Sequence, residues 1–144
     1  MSTDTTQMRA EILEIPDAVE RLLTEGNAAI LAAADKARAV KPRFLLSVAR
    51  GSSDHACTFL KYASELVLKR PMASVGPSVR SIYGVDLEAQ DSLCISVSQS
   101  GQSPDIVRMT ESLRKGGSLT VAITNDAGSR LARAADTTLP IHAG

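Results

Sequence analysis

"RFLLSVARGSSDHACTFL", residues 43–60, contains the pattern that decides the fold. A short apolar run over 43–49 stops at a Gly-Ser-Ser cluster (51–53), and apolar residues with helical spacing follow. The same order returns further along, where the apolar run 92–98 leads into Ser-Gln-Ser-Gly-Gln-Ser (98–103) and a second helical pattern. Apolar strands that alternate with helices indicate a parallel β-sheet covered by helices on both faces.

The rest of the chain continues this alternation. We predict strands over 43–49, 72–76, 92–98, 118–124 and 136–141, and helices over 53–70, 78–84, 103–117 and 128–135. Two Ala- and Leu-rich helical patterns precede the first strand, and we expect Pro16 to break the first of them. The prediction is an α/β fold: an N-terminal helical segment, 1–40, then a three-layer α/β/α domain, 41–144, with a parallel sheet of about five strands.

Composition narrows the function class. The 144 residues carry no formal net charge, only 3% are aromatic, and no basic block is present, so we expect no nucleic-acid partner. No apolar run approaches the roughly 20 residues of a membrane span, and the N-terminus resembles neither a signal nor a transit peptide. We therefore expect a cytoplasmic protein that has no membrane partner.

The cysteines and histidines do not form a metal-binding pattern. Cys57 and Cys94 both lie inside apolar segments and are not in Cys-x-x-Cys spacing, so we predict two buried free thiols. His55 and His142 have no neighbours with ligand-like spacing. We predict no bound metal and no cofactor.

The two polar clusters follow strands and precede helices, which is where ligands bind in open α/β sheets. A helix N-terminus presents free N–H groups and a partial positive charge, and it therefore attracts anions, phosphate above all. Gly51 and Gly101 allow a tight turn close to a ligand. The side chains that could donate to phosphate are Ser52 and Ser53 in the first turn and Ser98, Gln99, Ser100 and Ser103 in the second.

Ordinary helix capping is the alternative for each turn taken alone, with Ser53, Asp54 or Ser103 as the cap. A cap needs one side chain, however, and the second turn offers four hydroxyl or amide groups within six residues. The chain lacks the Lys-containing loop of nucleotide triphosphatases and the Gly-x-Gly-x-x-Gly of dinucleotide folds. Neutral donors suit a sugar phosphate better than a nucleotide.

The segments "ARGSSDHA" and "SVSQSGQSPDIV" resemble the SIS (sugar isomerase) domain family, a flavodoxin-like fold. "MRAEILEIP" is similar to the opening helix of the family's two-domain aminosugar-phosphate enzymes, the isomerase part of glucosamine-6-phosphate synthase and the SIS-type deaminases. The resemblance implies an enzyme that interconverts glucosamine 6-phosphate and fructose 6-phosphate. It also implies that the phosphate is held by Ser52, Ser53, Ser98, Gln99, Ser100 and Ser103.

Three further residues are candidates for the same site. Arg50 replaces a Cys of the synthase and could approach the phosphate or pair with an acidic neighbour, while His55 and Arg80 could approach the sugar. The resemblance implies that the catalytic base and the ring-opening acid lie outside this chain, in a second SIS domain and a neighbouring subunit. We therefore expect a homodimer, and a chain that is not catalytically complete alone.

The position of the chain within a larger protein gives two more expectations. The chain stops directly after the last predicted strand, so we expect the first of a pair of SIS domains, cut at its C-terminus. The predicted sheet domain starts within about 45 residues of Met1, so we expect no glutaminase domain and chemistry with free ammonia. A single-SIS ketose–aldose isomerase and a sugar-phosphate sensor remain the alternatives.

Overall fold

A computed structural model describes residues 6–143. Residues 1–5, which begin the predicted segment 1–40, and Gly144, which ends the predicted domain 41–144, lie outside the described part of the chain. The elements are α1 (Gln7–Glu25), α2 (Asn27–Val40), β1 (Phe44–Val48), α3 (Ser52–Ala63) with a π-helical turn (Ser64–Leu68), β2 (Met72–Ser74), α4 (Ser78–Ser81), β3 (Ser92–Val97), α5 (Pro104–Lys115), β4 (Leu119–Thr124), α6 (Arg130–Ala134) and β5 (Thr137–Pro140).

The five strands form one parallel sheet in the order β2-β1-β3-β4-β5. The predicted α/β class, the five-stranded parallel sheet and the flavodoxin-like arrangement are confirmed. After β1 the chain crosses towards β2, and after β3 it crosses in the opposite direction towards β4. This reversal opens a crevice at the carboxyl ends of β1 and β3, the usual ligand position in such sheets.

The sheet buries a different apolar cluster on each face. On one face Leu46, Val48 and Cys94 pack with Met109 and Leu113 of α5. On the other face Leu45 and Leu93 pack with Leu60 of α3 and Ala37 of α2. Neighbouring residues of β1 point to opposite faces, as the alternation of a strand requires. Helices cover both faces, which gives the predicted three layers.

The first helix differs from the prediction. α1 continues from Gln7 to Glu25 with Pro16 inside it, so the predicted break at Pro16 is wrong. Proline removes one backbone donor from a helix, and the remaining turns still supply their own hydrogen bonds. The half after Pro16 is also held from outside, because Arg21 Nε donates to the carbonyl of His142 at 3.2 Å.

None of the helices in the described part of the chain combines the length and the apolar character that crossing a bilayer requires.

Candidate functional site

The two polar turns lie side by side at the carboxyl edge of the sheet. β1 and β3 are hydrogen-bonded neighbours, and Val48 pairs with Ser96 near their ends. The first turn, Arg50–Ser53, follows β1 within two residues, and the second turn, Ser98–Ser103, follows β3 directly. Because paired parallel strands end at the same edge, the structure brings the predicted residues of both turns together.

The first turn bends sharply into α3. Gly51 is the N-cap residue, with φ 59° and ψ −134°, a backbone conformation that favours glycine. Ser52 and Ser53 form the first helical turn, where amide groups have no intrahelical acceptor. A Cβ atom added at Gly51 would meet nothing within 4 Å, so this turn is open to its surroundings.

The second turn leads into α5, which has Ser103 as its N-cap and Pro104 in its first turn. Ser103 makes no side-chain capping bond there, and Gly51 of the first turn has no side chain to cap with. Within residues 6–143, the hydroxyls of Ser52, Ser53, Ser98 and Ser103 donate to no protein group; Ser100 Oγ accepts from Gln102 N at 3.3 Å. The hydroxyls are therefore not used as caps. Ser52 and Ser100 are exposed, Ser53 and Ser103 are partly buried, and Ser98 is buried.

A third polar turn holds the second one in place, and the sequence analysis missed it. Asn125 N and Thr124 Oγ1 both donate to the carbonyl of Gln99, at 2.9 and 3.2 Å. Leu131 N donates to the carbonyl of Gly101 at 3.0 Å. The signal was present in "TVAITNDAGS", where β4 ends in the same succession of polar and small residues as β1 and β3.

Gly101 is required by the closeness of this support. It is buried, and its φ is 62°. A Cβ atom there would lie 2.7 Å from Thr124 Oγ1 and closer still to the side chain of Ser129. Any larger residue would push the second turn away from β4, so the turn is fixed in position by packing as well as by hydrogen bonds.

An ion pair joins the first turn to the helix that follows the second turn. The Nε of Arg50, just before the Gly-Ser-Ser cluster, pairs with Oδ2 of Asp105 in the first turn of α5. The other oxygen of Asp105 accepts from Ile106 N at 2.9 Å. Arg50 is half exposed, and Asp105 is largely covered. Of the two predicted roles for Arg50, the structure contains the pairing with an acidic neighbour.

The structure places His55 and Arg80, the two residues predicted to approach the sugar, on two different helices, α3 and α4. His55 lies exposed at the fourth position of α3, directly after Asp54. Arg80 donates to the carbonyl of Gly84 at 2.8 Å and pairs with Asp86 at 3.3 Å. It lines a cavity of about 380 Å³ against the outer side of α5, so its side chain is engaged away from the two turns.

The other wall of the site is built by α1 and the segment 141–143. The side-chain amide of Asn125 donates to the carbonyl of Ala143 and accepts from its N–H at 2.9 Å. A cavity of about 300 Å³ lies between α1, Ala143 and Gln99, with Glu11 and Glu14 among its lining residues. The second turn therefore borders a cavity through Gln99, whereas the space beside Gly51 of the first turn is open.

Both cysteines are free and buried, as predicted. Burial raises the pKa of Cys94 to about 12, and burial together with the charge of Asp54 raises the pKa of Cys57. The thiolate is the nucleophilic form, so neither sulfur is a nucleophile near neutral pH. The polar groups that the two turns present at this edge are hydroxyls, amides and the Arg50 guanidinium.

Residues 40–144, which contain all five strands and both turns, match the SIS domain. The chain belongs to the SIS family. A relative from Pyrobaculum aerophilum, a glutamine–fructose-6-phosphate aminotransferase (isomerizing), is 35% identical over 99 residues, which are 67% of this chain and 16% of the relative. This SIS chain thus spans about one sixth of the length of that relative.

Two solved structures show the same SIS fold. A protein from Silicibacter pomeroyi DSS-3, described as a phosphosugar isomerase, is 53% identical, with a TM-score of 0.93 over 95% of this chain and 42% of that chain. The C-terminal domain of glucosamine-fructose-6-phosphate aminotransferase from Francisella tularensis is 28% identical, with a TM-score of 0.76 over all of this chain and 42% of that chain.

Proposed function

We propose that this chain is the phosphosugar-binding SIS domain of an aminosugar-phosphate deaminase/isomerase. The phosphate is held between the two turns, by Ser52 and Ser53 on one side and by Ser98, Gln99, Ser100 and Ser103 on the other. The observation that carries the proposal is the pair of adjacent helix N-termini whose hydroxyls are not used as caps. The names of the relatives, which concern fructose 6-phosphate and phosphosugars, support the same substrate class.

The proposed reaction converts glucosamine 6-phosphate and water into fructose 6-phosphate and ammonia, or runs in reverse. It requires opening of the sugar ring and proton transfer between C1 and C2, which a general acid and a general base perform. The phosphate lies at the other end of the sugar, and binding it orients C1 and C2 for that chemistry. We propose that the acid and base come from a second SIS domain and a second subunit.

Exposed apolar residues support such partners. Much of the apolar surface of α1 and α3 is open to solvent: Met8, Ile12, Leu13, Ile15, Val19 and Leu23 on α1, and Phe59 and Tyr62 on α3. Apolar surface of this extent is typical of protein–protein contacts. We propose that it packs against a second SIS domain or a second copy of the chain in a homodimer.

The homodimer is tested by light scattering on the protein as it elutes from a size-exclusion column. The measured mass should be twice the monomer mass, and the monomer mass would contradict the homodimer.

The phosphate site is tested by calorimetric titration with fructose 6-phosphate. Ser53→Ala and Ser100→Ala should each weaken binding by about 10- to 100-fold, because each removes a hydrogen bond to a charged group. Thr24→Ala, which removes a hydroxyl that bonds only within α1, is the matched control and should bind as the unchanged protein does. Unchanged affinity in both serine variants would refute the phosphate site.

The reaction is tested separately on the full-length protein, which includes the proposed second SIS domain, by supplying glucosamine 6-phosphate and measuring ammonia. The proposal predicts ammonia release, and it predicts that fructose 6-phosphate is aminated by ammonia and not by glutamine. Amination by glutamine would contradict the use of free ammonia. Binding of fructose 6-phosphate without either reaction would favour a sensor, and turnover of another sugar phosphate would favour a ketose–aldose isomerase.

A further inference from the structure

The helix that follows the second turn carries a charge that opposes the proposed ligand. Asp105 lies in the first turn of α5, where the helix N-terminus attracts anions. Its Oδ1 already accepts from the N–H of Ile106, so the carboxylate uses a donor of the same helix end. A phosphate that binds beside Ser103 therefore approaches a group of its own sign, which costs binding energy at this short range.

Arg50 is placed to cancel that charge. Its Nε pairs with the free oxygen of Asp105, while its terminal nitrogens make no hydrogen bond within residues 6–143. Arg50 directly precedes Gly51 and Ser52, and its ion pair with Asp105 spans from the first turn to the start of α5. An arginine can bridge two anions in this way, since its guanidinium carries five donors in a planar fork.

We propose that Arg50 shields the substrate phosphate from the carboxylate of Asp105 and so determines the specificity of the site for an anion. This inference rests on the proposed phosphate site and adds an electrostatic role to it. The pair is more than a tether between the turns: the two residues act on the ligand with opposite sign. Removing the carboxylate of Asp105 should strengthen binding of the anion, and removing the guanidinium of Arg50 should weaken it.

The test is a double-mutant cycle, titrated with fructose 6-phosphate and with inorganic phosphate. Arg50→Gln should weaken the binding of both ligands by at least about tenfold, because it leaves the carboxylate of Asp105 unpaired next to the anion. Asp105→Asn should leave binding unchanged or tighten it by up to about threefold. The double variant should return to within about threefold of the unchanged protein, since it contains neither charge.

The control pair is Arg38 and Asp35, an exposed ion pair on α2 with a 2.7 Å separation. Arg38→Gln and Asp35→Asn should change neither affinity. Two results would overturn the proposal while leaving the phosphate site intact: an unaffected Arg50→Gln variant, or equal weakening by both single variants with no recovery in the double. If the unchanged protein binds neither ligand, the phosphate site itself is refuted, and the role of Arg50 with it.

Discussion

The two polar turns have the same kind of sequence, but their surroundings are very different. Gly51 of the first turn is exposed, with open space where a Cβ would stand, whereas Gly101 of the second is buried against Thr124 and Ser129. The carbonyls of Gln99 and Gly101 are held by the connection that follows β4. We therefore expect the second turn to fix the position of the proposed phosphate and the first turn to adapt to it.

The helices behind the turns show the same difference. α5, after the second turn, buries Ile106, Met109 and Leu113 almost completely. α3, after the first turn, leaves Phe59 and Tyr62 about 76% and 62% exposed. The second turn thus leads into a helix of the core, and its own Ser98 and Gly101 are buried, whereas Gln99, Ser100 and Gln102 are exposed. The first is attached to a layer that still has apolar surface to cover.

The glycines give the largest test of this difference. Gly101→Ala should lower the free energy of unfolding by about 4 kcal/mol, the sum of backbone strain and overpacking. Gly51→Ala adds backbone strain only and should lower the free energy of unfolding by about 2 kcal/mol. Chemical denaturation of both variants measures the difference between the two losses of unfolding free energy. Equal losses would mean that the tight packing around Gly101 contributes nothing.

The anchoring of β4 at its other end gives the next test. Asp136 accepts from the N–H and the hydroxyl of Thr120, at 3.0 and 2.8 Å, and pairs with Arg114. Burial alone would raise the pKa of Asp136, but these donors outweigh it and lower the pKa below its ordinary value. At pH 7, Asp136→Asn should cost about 2 kcal/mol of unfolding free energy.

The pH dependence of that loss follows from the sign of the shift. A lowered pKa stabilises the folded state above the unfolded value, about 3.9, and the contribution disappears as pH falls through the folded-state pKa. Denaturation at several pH values should therefore show the variant and the unchanged protein converging below about pH 4. Affinity for fructose 6-phosphate at pH 7 should not change, since Asp136 lies away from the turns; a weaker complex would contradict the separation of scaffold and site.

Two threonines give the smallest test. Thr124 is buried and donates to Gln99 of the second turn, whereas Thr58 is exposed and donates to Asp54 beside the first. Thr124→Val should lower the free energy of unfolding by about 1 kcal/mol, because the carbonyl of Gln99 loses one of its two hydrogen-bond donors. Thr58→Val should cost about 0.5 kcal/mol or less. Thermal unfolding of both compares them; a larger loss at Thr58 would reverse the proposed order of rigidity.

The fold was predictable because it depends on local patterns. Five apolar strands alternating with helices predict a parallel sheet covered on both faces, and the turn residues mark where each strand ends. The flavodoxin-like strand order was implied by the resemblance to the SIS family. Pro16 misled the prediction because propensity rules treat a helix in isolation, while α1 is also held by the contact of Arg21 with His142.

The candidate site was only partly predictable, since much of it depends on contacts distant in sequence. The serines of both turns were visible in the sequence and are brought together by the pairing of β1 with β3. The pairing of Arg50 with Asp105, and the support of Gln99 by Thr124 and Asn125, join residues from separate strand ends. Periodicity along one segment carries no information on such pairs.

A crystal structure of the protein with fructose 6-phosphate tests the central claim most directly. The account predicts that one phosphate group lies within about 3.2 Å of a hydroxyl from each turn, with Ser52 or Ser53 on one side and Ser100 or Ser103 on the other. A phosphate bound by one turn alone would contradict it. So would a phosphate in the cavity between α4 and α5, beside Arg80, Arg108 and Lys115.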